Sequence, residues 1–225
     1  VGDSTLAANT SGANNVAVGR LALGANTTGA ENVAVGGLAG DANTTGSFNT
    51  AIGYIALSTA TTADGNTAVG REALRDTTTG ASNTAVGKEA LKLNTTGQRS
   101  TVMGFHAGNA CTTGSDNALF GYEAGGGITT GIENTYLGYY AGNLNTTTNY
   151  NTGVGSGALQ RHTTGTRNTA VGARSLDAAT TSSDNTAMGY DALGATTTGA
   201  NNVAVGSYAG DAITTGASHT LMGKS

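Results

Sequence analysis

Residues 83–99 read NTAVGKEALKLNTTGQR, and the preceding residues 66–82 read NTAVGREALRDTTTGAS. The two stretches have the same length and agree at most positions, and the pattern recurs along the whole chain. Its most regular element is a glycine, called the anchor glycine below, which returns every 17 residues from Gly2 to Gly223 without insertion or deletion. An internal repeat of this kind decides the fold before any single element does.

A period of 17 residues is too short for a pair of packed helices. The 37 glycines argue against an all-helical domain, and the absence of proline argues against a collagen helix. Each repeat is therefore expected to form one coil of a β-solenoid. The sequence predicts an all-β fold, a parallel β-solenoid (β-roll) of about thirteen coils in a single repeat domain over residues 1–225, interpreted as a fragment of a longer fibrous chain.

Two apolar columns predict the interior of each coil. The residue directly before the anchor glycine is always apolar, as at Val18 and Val35, and is expected to point inward. The alanine one residue earlier is then expected to face outward, since alternate strand residues point to opposite sides. A second core column, four residues after the anchor glycine, holds leucine or glycine. Ile128, Ile213 and Cys111 occur only where this column is glycine, which predicts an exchange of volume inside one shared interior.

Polar columns have structural interpretations. Asparagine four residues before the anchor glycine predicts an amide ladder at a corner of the coil, and the threonine pair eight and nine residues after it is typical of a strand before a turn. The glycosylation sequons at Asn26, Asn43, Asn94 and Asn145 follow from this pairing and are interpreted as accidental. Two alternatives remain for residues 71–75, a strand or one helical turn.

Charge and chemistry exclude several function classes. The net charge of −4 arises from scattered side chains, so no nucleic-acid partner is expected, and the lack of a long apolar run argues against membrane insertion. His106, His162 and His219 stand in three different columns, and Cys111 replaces isoleucine in an apolar one. We therefore expect no enzyme activity, no catalytic residues, no cofactor and no metal.

Residues 102–140 depart from the average repeat. In three successive coils the alanine expected to face outward is replaced by a larger side chain, and aromatic residues follow the anchor glycine. Such a ridge suits the apolar face of a sugar or contact with another chain, and plain packing is the alternative. The candidate ligand or subunit contact consists of Val102, Phe105, His106, Leu119, Tyr122, Tyr136, Tyr139 and Tyr140.

The alanine column predicts a surface for self-association. A solvated face would carry charges, as the positions of Arg71 and Glu72 do, whereas this column is small and uncharged. The candidate trimer interface consists of Ala17, Ala34, Ala51, Ala68, Ala85, Ala170, Ala187 and Ala204.

The Asn-Val-Ala-Val-Gly of residues 15–19 and 202–206 and the Asn-Thr-Ala-Val-Gly of residues 66–70 resemble the Ser-Val-Ala-Ile-Gly signature of YadA-like heads in trimeric autotransporter adhesins. The wider unit, as in residues 117–131 and 202–216, is similar to repeats of bacteriophage tail-fibre and virion proteins. The resemblance implies a left-handed β-roll, three chains side by side, and an extracellular location on a cell surface or virion. The implied partners are the chain itself, as a homotrimer, and a cell-surface glycan or protein receptor.

The expected function is that of a structural and adhesive segment of an extracellular fibre, with a receptor-binding surface. Two alternatives stay open. One is a passive spacer shaft without a ligand. The other is ice binding, which would need two outward threonine ranks, whereas adjacent strand residues point to opposite sides and only one rank is expected to be exposed.

Overall fold

The computed structural model describes residues 1–224 as short strands joined by turns, with no helix in that range and so none that could cross a membrane. The chain divides into two compact units, Val1–Ser115 and Asp116–Ser225. In each unit, parallel strands are stacked one coil apart at intervals of 17 residues. The predicted parallel β-solenoid is confirmed.

Each coil carries one three-residue strand that ends directly before the anchor glycine. The first unit contains β1 Val16–Val18, β2 Val33–Val35, β3 Thr50–Ile52, β4 Thr67–Val69, β5 Thr84–Val86 and β6 Thr101–Met103. The second unit contains β7 Ala118–Phe120, β8 Thr135–Leu137, β9 Thr152–Val154, β10 Thr169–Val171, β11 Thr186–Met188, β12 Val203–Val205 and β13 Thr220–Met222. Within a unit, each residue pairs with its equivalent in the next coil, as Ala68 does with Ala85.

The anchor glycine ends each strand in a conformation that other residues avoid. Gly19 has a φ of 132°, and a Cβ atom there would lie 2.3 Å from the carbonyl oxygen of Gly36. At Gly53 the φ is 140° and the corresponding distance, to the oxygen of Gly70, is 2.4 Å. Because even a methyl group does not fit, the residue at this position does not vary.

Turns fill the stretch between the anchor glycine and the threonine pair. The amide of Ala73 donates to the carbonyl oxygen of Gly70 at 3.3 Å, and the amide of Thr77 donates to that of Leu74 at 3.2 Å. Both alternatives for residues 71–75, a strand and a helical turn, are therefore wrong, since residues 71–76 form turns.

The leucine column is buried as predicted, although its backbone is left-handed. Leu74, Leu159 and Leu193 are fully buried with φ angles of 50°, 54° and 51°. This conformation costs about 1–2 kcal/mol for an L-residue, whereas burying a leucine side chain contributes about 1.5–3 kcal/mol. Burial therefore stabilises a conformation that leucine alone would not adopt.

The asparagine column forms the predicted ladder. The Oδ1 atom of Asn66 accepts the backbone N–H of Asn83 in the next coil at 2.9 Å, and its Nδ2 atom donates to the carbonyl oxygen of Gly80 at 2.9 Å. One side chain thus joins two coils and also closes its own.

A second asparagine column, seven residues after the anchor glycine, lies inside the coil. It contains the four asparagines of the Asn-x-Thr sequons, which are 0–3% exposed: Asn26, Asn43, Asn94 and Asn145. An oligosaccharide cannot be attached to these side chains while the coil is folded. This burial supports the interpretation of the sequons as accidental.

Candidate functional site

The first and third residues of every strand form a surface that we call the outer sheet face. In the first unit Val18, Ile52 and Met103 are 45%, 38% and 47% exposed, and in the second unit Leu137 and Met188 are 49% and 45% exposed. The prediction that the residue before the anchor glycine points inward is therefore wrong. Its apolar side chains face solvent.

The middle residue of each strand points into the coil instead. The alanines predicted to form an outward trimer interface are buried, except for the partly exposed Ala17: Ala17, Ala34, Ala51, Ala68, Ala85, Ala170, Ala187 and Ala204. The prediction of their outward orientation is wrong, and they are not available for contact with another folded chain.

The narrow interior explains this orientation. Leucines such as Leu74 fill the coil from the side opposite the strand, so the strand has room for only one small inward residue, such as Ala68. With the opposite orientation, Thr67 and Val69 would both have to fit beside Leu74, and the coil would be overpacked. The period of two fixes which residues share a face, but it does not say which face is buried.

Three members of the predicted contact region lie in the same inward column. They are fully buried, so their assignment to an outward surface is wrong: Val102, Leu119 and Tyr136. The leucine column is glycine in their coils. A Cβ atom on Gly142 would lie 2.5 Å from Cδ2 of Tyr136, and one on Gly125 would lie 2.9 Å from Cδ1 of Ile128. The predicted exchange of volume is confirmed, and it includes the middle of the strand.

Polar neighbours satisfy the buried hydroxyl of Tyr136. It accepts a hydrogen bond from Nδ2 of Asn145 and lies 3.4 Å from both Oδ1 of Asn134 and Oγ1 of Thr148. Burial raises the pKa of Tyr136, so the hydroxyl stays neutral. Tyr136 is a core residue of its coil.

Phe105 and His106, in the first unit, are half-buried. Their rings stack with centroids 3.9 Å apart, and Nζ of Lys88 lies 5.1 Å from the centroid of Phe105. Nε2 of His106 lies 3.2 Å from Oε2 of Glu89. These two members of the predicted contact region are already engaged with charged neighbours.

Tyr122, Tyr139 and Tyr140, in the second unit, form a group that we call the tyrosine cluster. Tyr122 and Tyr139 are 41% and 56% exposed, and their rings stack 5.5 Å apart at 23°. Tyr140 meets Tyr139 edge-on, with centroids 4.4 Å apart at 87°. Burial, reinforced by Glu123, raises the pKa of Tyr140 to about 12. The structure thus brings these three predicted residues together as a neutral aromatic surface.

An ion-pair network joins adjacent coils of the first unit. Nζ of Lys92 lies 2.9 Å from a carboxylate oxygen of Glu72 and 3.1 Å from one of Glu89. The hydrogen bond from Lys92 is the main cause that lowers the pKa of Glu89 to about 2, and it also lowers the pKa of Glu72. Arg75 lies 3.1 Å from Glu72 as well. The network stabilises stacking between coils.

The remaining chemistry-bearing residues are dispersed. His162 is fully buried in the inner asparagine column, where burial lowers its pKa, whereas His219 is exposed. Cys111 is fully buried, as predicted, and burial raises the pKa of its thiol to about 11. No three His, Cys, Asp or Glu side chains of residues 1–224 are grouped so that they could hold a metal ion.

The threonine pairs form two ranks with different exposure. The second threonine of each pair is exposed in every coil, as Thr45 and Thr62 are. The first is mostly half-buried, and its hydroxyl donates to the next coil, as Thr27 does to the carbonyl oxygen of Thr44 at 2.9 Å. Several first-rank threonines, including Thr61 and Thr78, are exposed as well. The expectation of a single exposed rank is therefore wrong in those coils.

No family model matches the chain, and neither a curated protein nor a solved structure is significantly similar to it.

Sequence reasoning missed the outer sheet face and a second tyrosine pair, Tyr190 and Tyr208, whose centroids lie 5.3 Å apart. No charged residue stands in the first or the third strand position of any coil, but the middle position has none either. The absence of charge therefore gives no signal for which face of the strand is exposed.

Proposed function

We propose that the chain is a structural segment of an extracellular fibre, either a phage tail fibre or a trimeric surface adhesin. In this fibre three copies pack side by side through their outer sheet faces. The columns that follow the anchor glycine, which include the tyrosine cluster, are displayed to a receptor. One observation carries the proposal, namely that the outer sheet face is exposed or half-exposed, has an apolar residue before every anchor glycine from Gly19 to Gly223, beside a column made mostly of threonine, and has no charge in any coil. The number of copies and the extracellular setting rest on the resemblance to adhesin and phage repeats.

The size of the outer sheet face supports its role as an interface. With strands about 4.8 Å apart and about 3.3 Å per residue, the seven strands of the second unit present about 340 Å², of which the apolar column before the anchor glycine provides about half. Apolar patches of a few hundred Å² on soluble proteins often mark interaction sites. An identical face on a second copy is a suitable partner, because neither surface has a charge that would be buried unpaired.

Charges on the outer sheet face test this assembly. Val35→Glu combined with Ile52→Glu places two carboxylates on neighbouring strands of the first unit, at positions 37% and 38% exposed in the single chain. We expect the wild-type chain to sediment as a trimer and the variant as a folded monomer, since the charges would be unpaired only in the assembly. The matched control, Thr45→Glu with Thr62→Glu, carries the same charge on exposed threonines and should remain trimeric.

A wild-type chain that is monomeric at every concentration tested, or a charged variant that keeps the trimer mass, would overturn the proposal. Ala51→Glu serves as a further control. It is expected to unfold the coil whatever the state of assembly, because Ala51 is only 2% exposed.

Ice binding is a second candidate, and the regularity of the threonine ranks favours it. The hydrogen bond from most first-rank hydroxyls to the next coil, as at Thr27 and Thr44, fixes the side-chain rotamer, so the first rank is pre-ordered at the coil spacing. Thermal hysteresis by the wild-type chain that disappears in Thr45→Glu with Thr62→Glu would support this function. The absence of hysteresis would exclude it.

A further inference from the structure

The tyrosine cluster presents one uncovered aromatic ring face. One face of the Tyr139 ring packs on Tyr122 at 5.5 Å, and Tyr140 holds the ring edge-on at 4.4 Å. Tyr139 is nevertheless 56% exposed. The second face of the Tyr139 ring is therefore free unless the residue one coil further along the same column covers it.

Backbone hydrogen bonds define that column. The amide of Tyr140 donates to the carbonyl oxygen of Tyr122 at 3.0 Å, and the amide of Gly157 donates in the same way to that of Tyr139 at 2.9 Å. Ser156 therefore occupies in the next coil the place that Tyr139 occupies in its own. Since Ser156 is small and exposed, no ring covers Tyr139 from that side.

The opening continues for a second coil. Ala173 follows Ser156 in the column, and the next aromatic residue there is Tyr190. At about 4.8 Å per coil, three coils place the levels of Tyr139 and Tyr190 about 14 Å apart. Gly157 has no side chain beside Ser156, and a Cβ atom there would lie 3.9 Å from Cγ of Arg174. The result is a notch that has an aromatic wall and in which this column carries only the small side chains of Ser156 and Ala173.

Polar groups lie at the far side of the notch. Nη2 of Arg174 lies 3.8 Å from Oδ2 of Asp191, which leaves both groups loosely paired and 57% and 18% exposed. Arg174 and Asp191 also line, with Tyr208, an open cavity of about 230 Å³ that does not include Tyr139 or Ser156. Arg174 stands one coil beyond Ser156, about 5 Å from its level, and Asp191 one coil further. An open aromatic face and a polar group one sugar-ring width away suit a saccharide, the first for its C–H face and the second for its hydroxyls.

We propose that this notch binds a saccharide, with the C–H face of a β-linked hexopyranose stacked on Tyr139 and its hydroxyls directed toward Arg174, one coil beyond Ser156. A ring packed on Tyr139 at van der Waals distance, about 4 Å, lies at the level of Ser156. The site is contained within one chain of the second unit. It rests on the proposed display of a receptor-binding surface, and it does not require the trimer.

The test uses an array of neutral β-linked hexose oligosaccharides, including cellohexaose and galactohexaose, with saturation-transfer NMR on the strongest binder. The wild-type chain should bind at least one of them. Tyr139→Ala should weaken that binding about tenfold or more. Ser156→Leu should abolish it while leaving every tyrosine in place, because the leucine side chain fills the level of the sugar ring.

Matched controls keep the result specific. Tyr54→Ala removes a tyrosine of similar exposure, 50%, from the same column in the first unit, and Ser207→Leu repeats the serine substitution two coils beyond Ala173. Both variants should bind like the wild-type chain, and thermal melting should show all four variants folded.

The proposal is overturned if the wild-type chain binds no glycan of the array, or if Tyr139→Ala or Ser156→Leu binds as the wild-type chain does. A trimer without glycan binding would leave the assembly proposal intact and make the chain a spacer.

Discussion

Exchanging the large side chain between two interior columns is the most direct test of how a coil is filled. Gly142 in the coil of Tyr136 has a φ of 60°, and a Cβ atom there would lie 2.5 Å from two carbons of the tyrosine ring. Gly142→Leu is expected to cost about 1–3 kcal/mol by overpacking, in addition to about 1–2 kcal/mol for a left-handed leucine. Tyr136→Ala empties a fully buried site and is expected to cost about 3–5 kcal/mol.

The double variant should be far more stable than these losses imply. Tyr136→Ala with Gly142→Leu recreates a coil that this chain already contains, namely that of Ala85, Leu91 and Asn94. In that coil Nδ2 of the asparagine donates to the carbonyl oxygen of Gly97 at 3.2 Å. Asn145 can make the equivalent bond after it loses the tyrosine hydroxyl. We therefore expect the double variant to recover at least about 2 kcal/mol relative to additive losses.

Urea unfolding of the four chains, compared by midpoint and slope, measures this coupling. Gly40→Leu is the matched control, because Gly40 has a φ of 57° and its coil already has Ala34 in the middle of the strand. A Cβ atom on Gly40 would meet only Cδ2 of Leu23, at 3.2 Å, so a small loss is expected. Additive losses in the double variant, or equal damage from Gly40→Leu and Gly142→Leu, would refute the shared interior.

Two further predictions concern ionisable groups. Burial lowers the pKa of His162 from 6.5, so on acidification the unfolded chain takes up this proton at a higher pH than the folded chain does. Stability should therefore fall as the pH drops below about 6.5 in urea titrations, and His162→Asn should remove that dependence. Lys92→Ala leaves the carboxylates of Glu72 and Glu89 without their shared partner and should cost about 1–3 kcal/mol at pH 7. The pKa of Glu89 is lowered to about 2, so its contribution to the stability of the wild-type chain should persist above pH 4.5 and fade between pH 4.5 and 2. A Lys92→Ala chain as stable as the wild type at pH 7 would contradict this account.

The repeat predicts much of the fold because it imposes the same contacts on every coil. A glycine that never varies implies a backbone contact that excludes a side chain, and the anchor glycines make that contact with the next coil. The asparagine column likewise predicts its ladder, since an amide has both the donor and the acceptor that a stacked corner needs. These inferences depend only on the identity of a residue and on its period.

The orientation of the strand could not be obtained in this way. In a three-residue strand such as Thr84–Val86, reversing the faces exchanges one buried alanine for a buried threonine and valine, and the local pattern allows both arrangements. The choice depends on Leu91, which enters the same interior from the turns. That approach requires a left-handed leucine, with a φ of 48°, and no rule based on residue preference predicts it.

The candidate site could be predicted from the sequence only in part, for the same reason. The stacking of Tyr122 on Tyr139 follows from their shared column and could be predicted, whereas the burial of Tyr136 depends on the reversed strand. The uncovered face of Tyr139 depends on an absence, the small Ser156, which attracts no attention in a search for chemistry-bearing residues.

Large interior side chains stand in different columns in different coils. Leu74 stands in the leucine column, Tyr136 in the middle of the strand, and one coil contains both Leu119 of the strand and Ile128 of the inner asparagine column. These choices all leave the backbone hydrogen bonds between coils unchanged, so a coil can be altered without disturbing its neighbours. The columns that follow the anchor glycine are free of this constraint, and the tyrosine cluster and the ion pairs of Lys92 with Glu72 and Glu89 lie there. The outer sheet face has no charge in any coil, which is what the proposed packing against other copies of the chain requires.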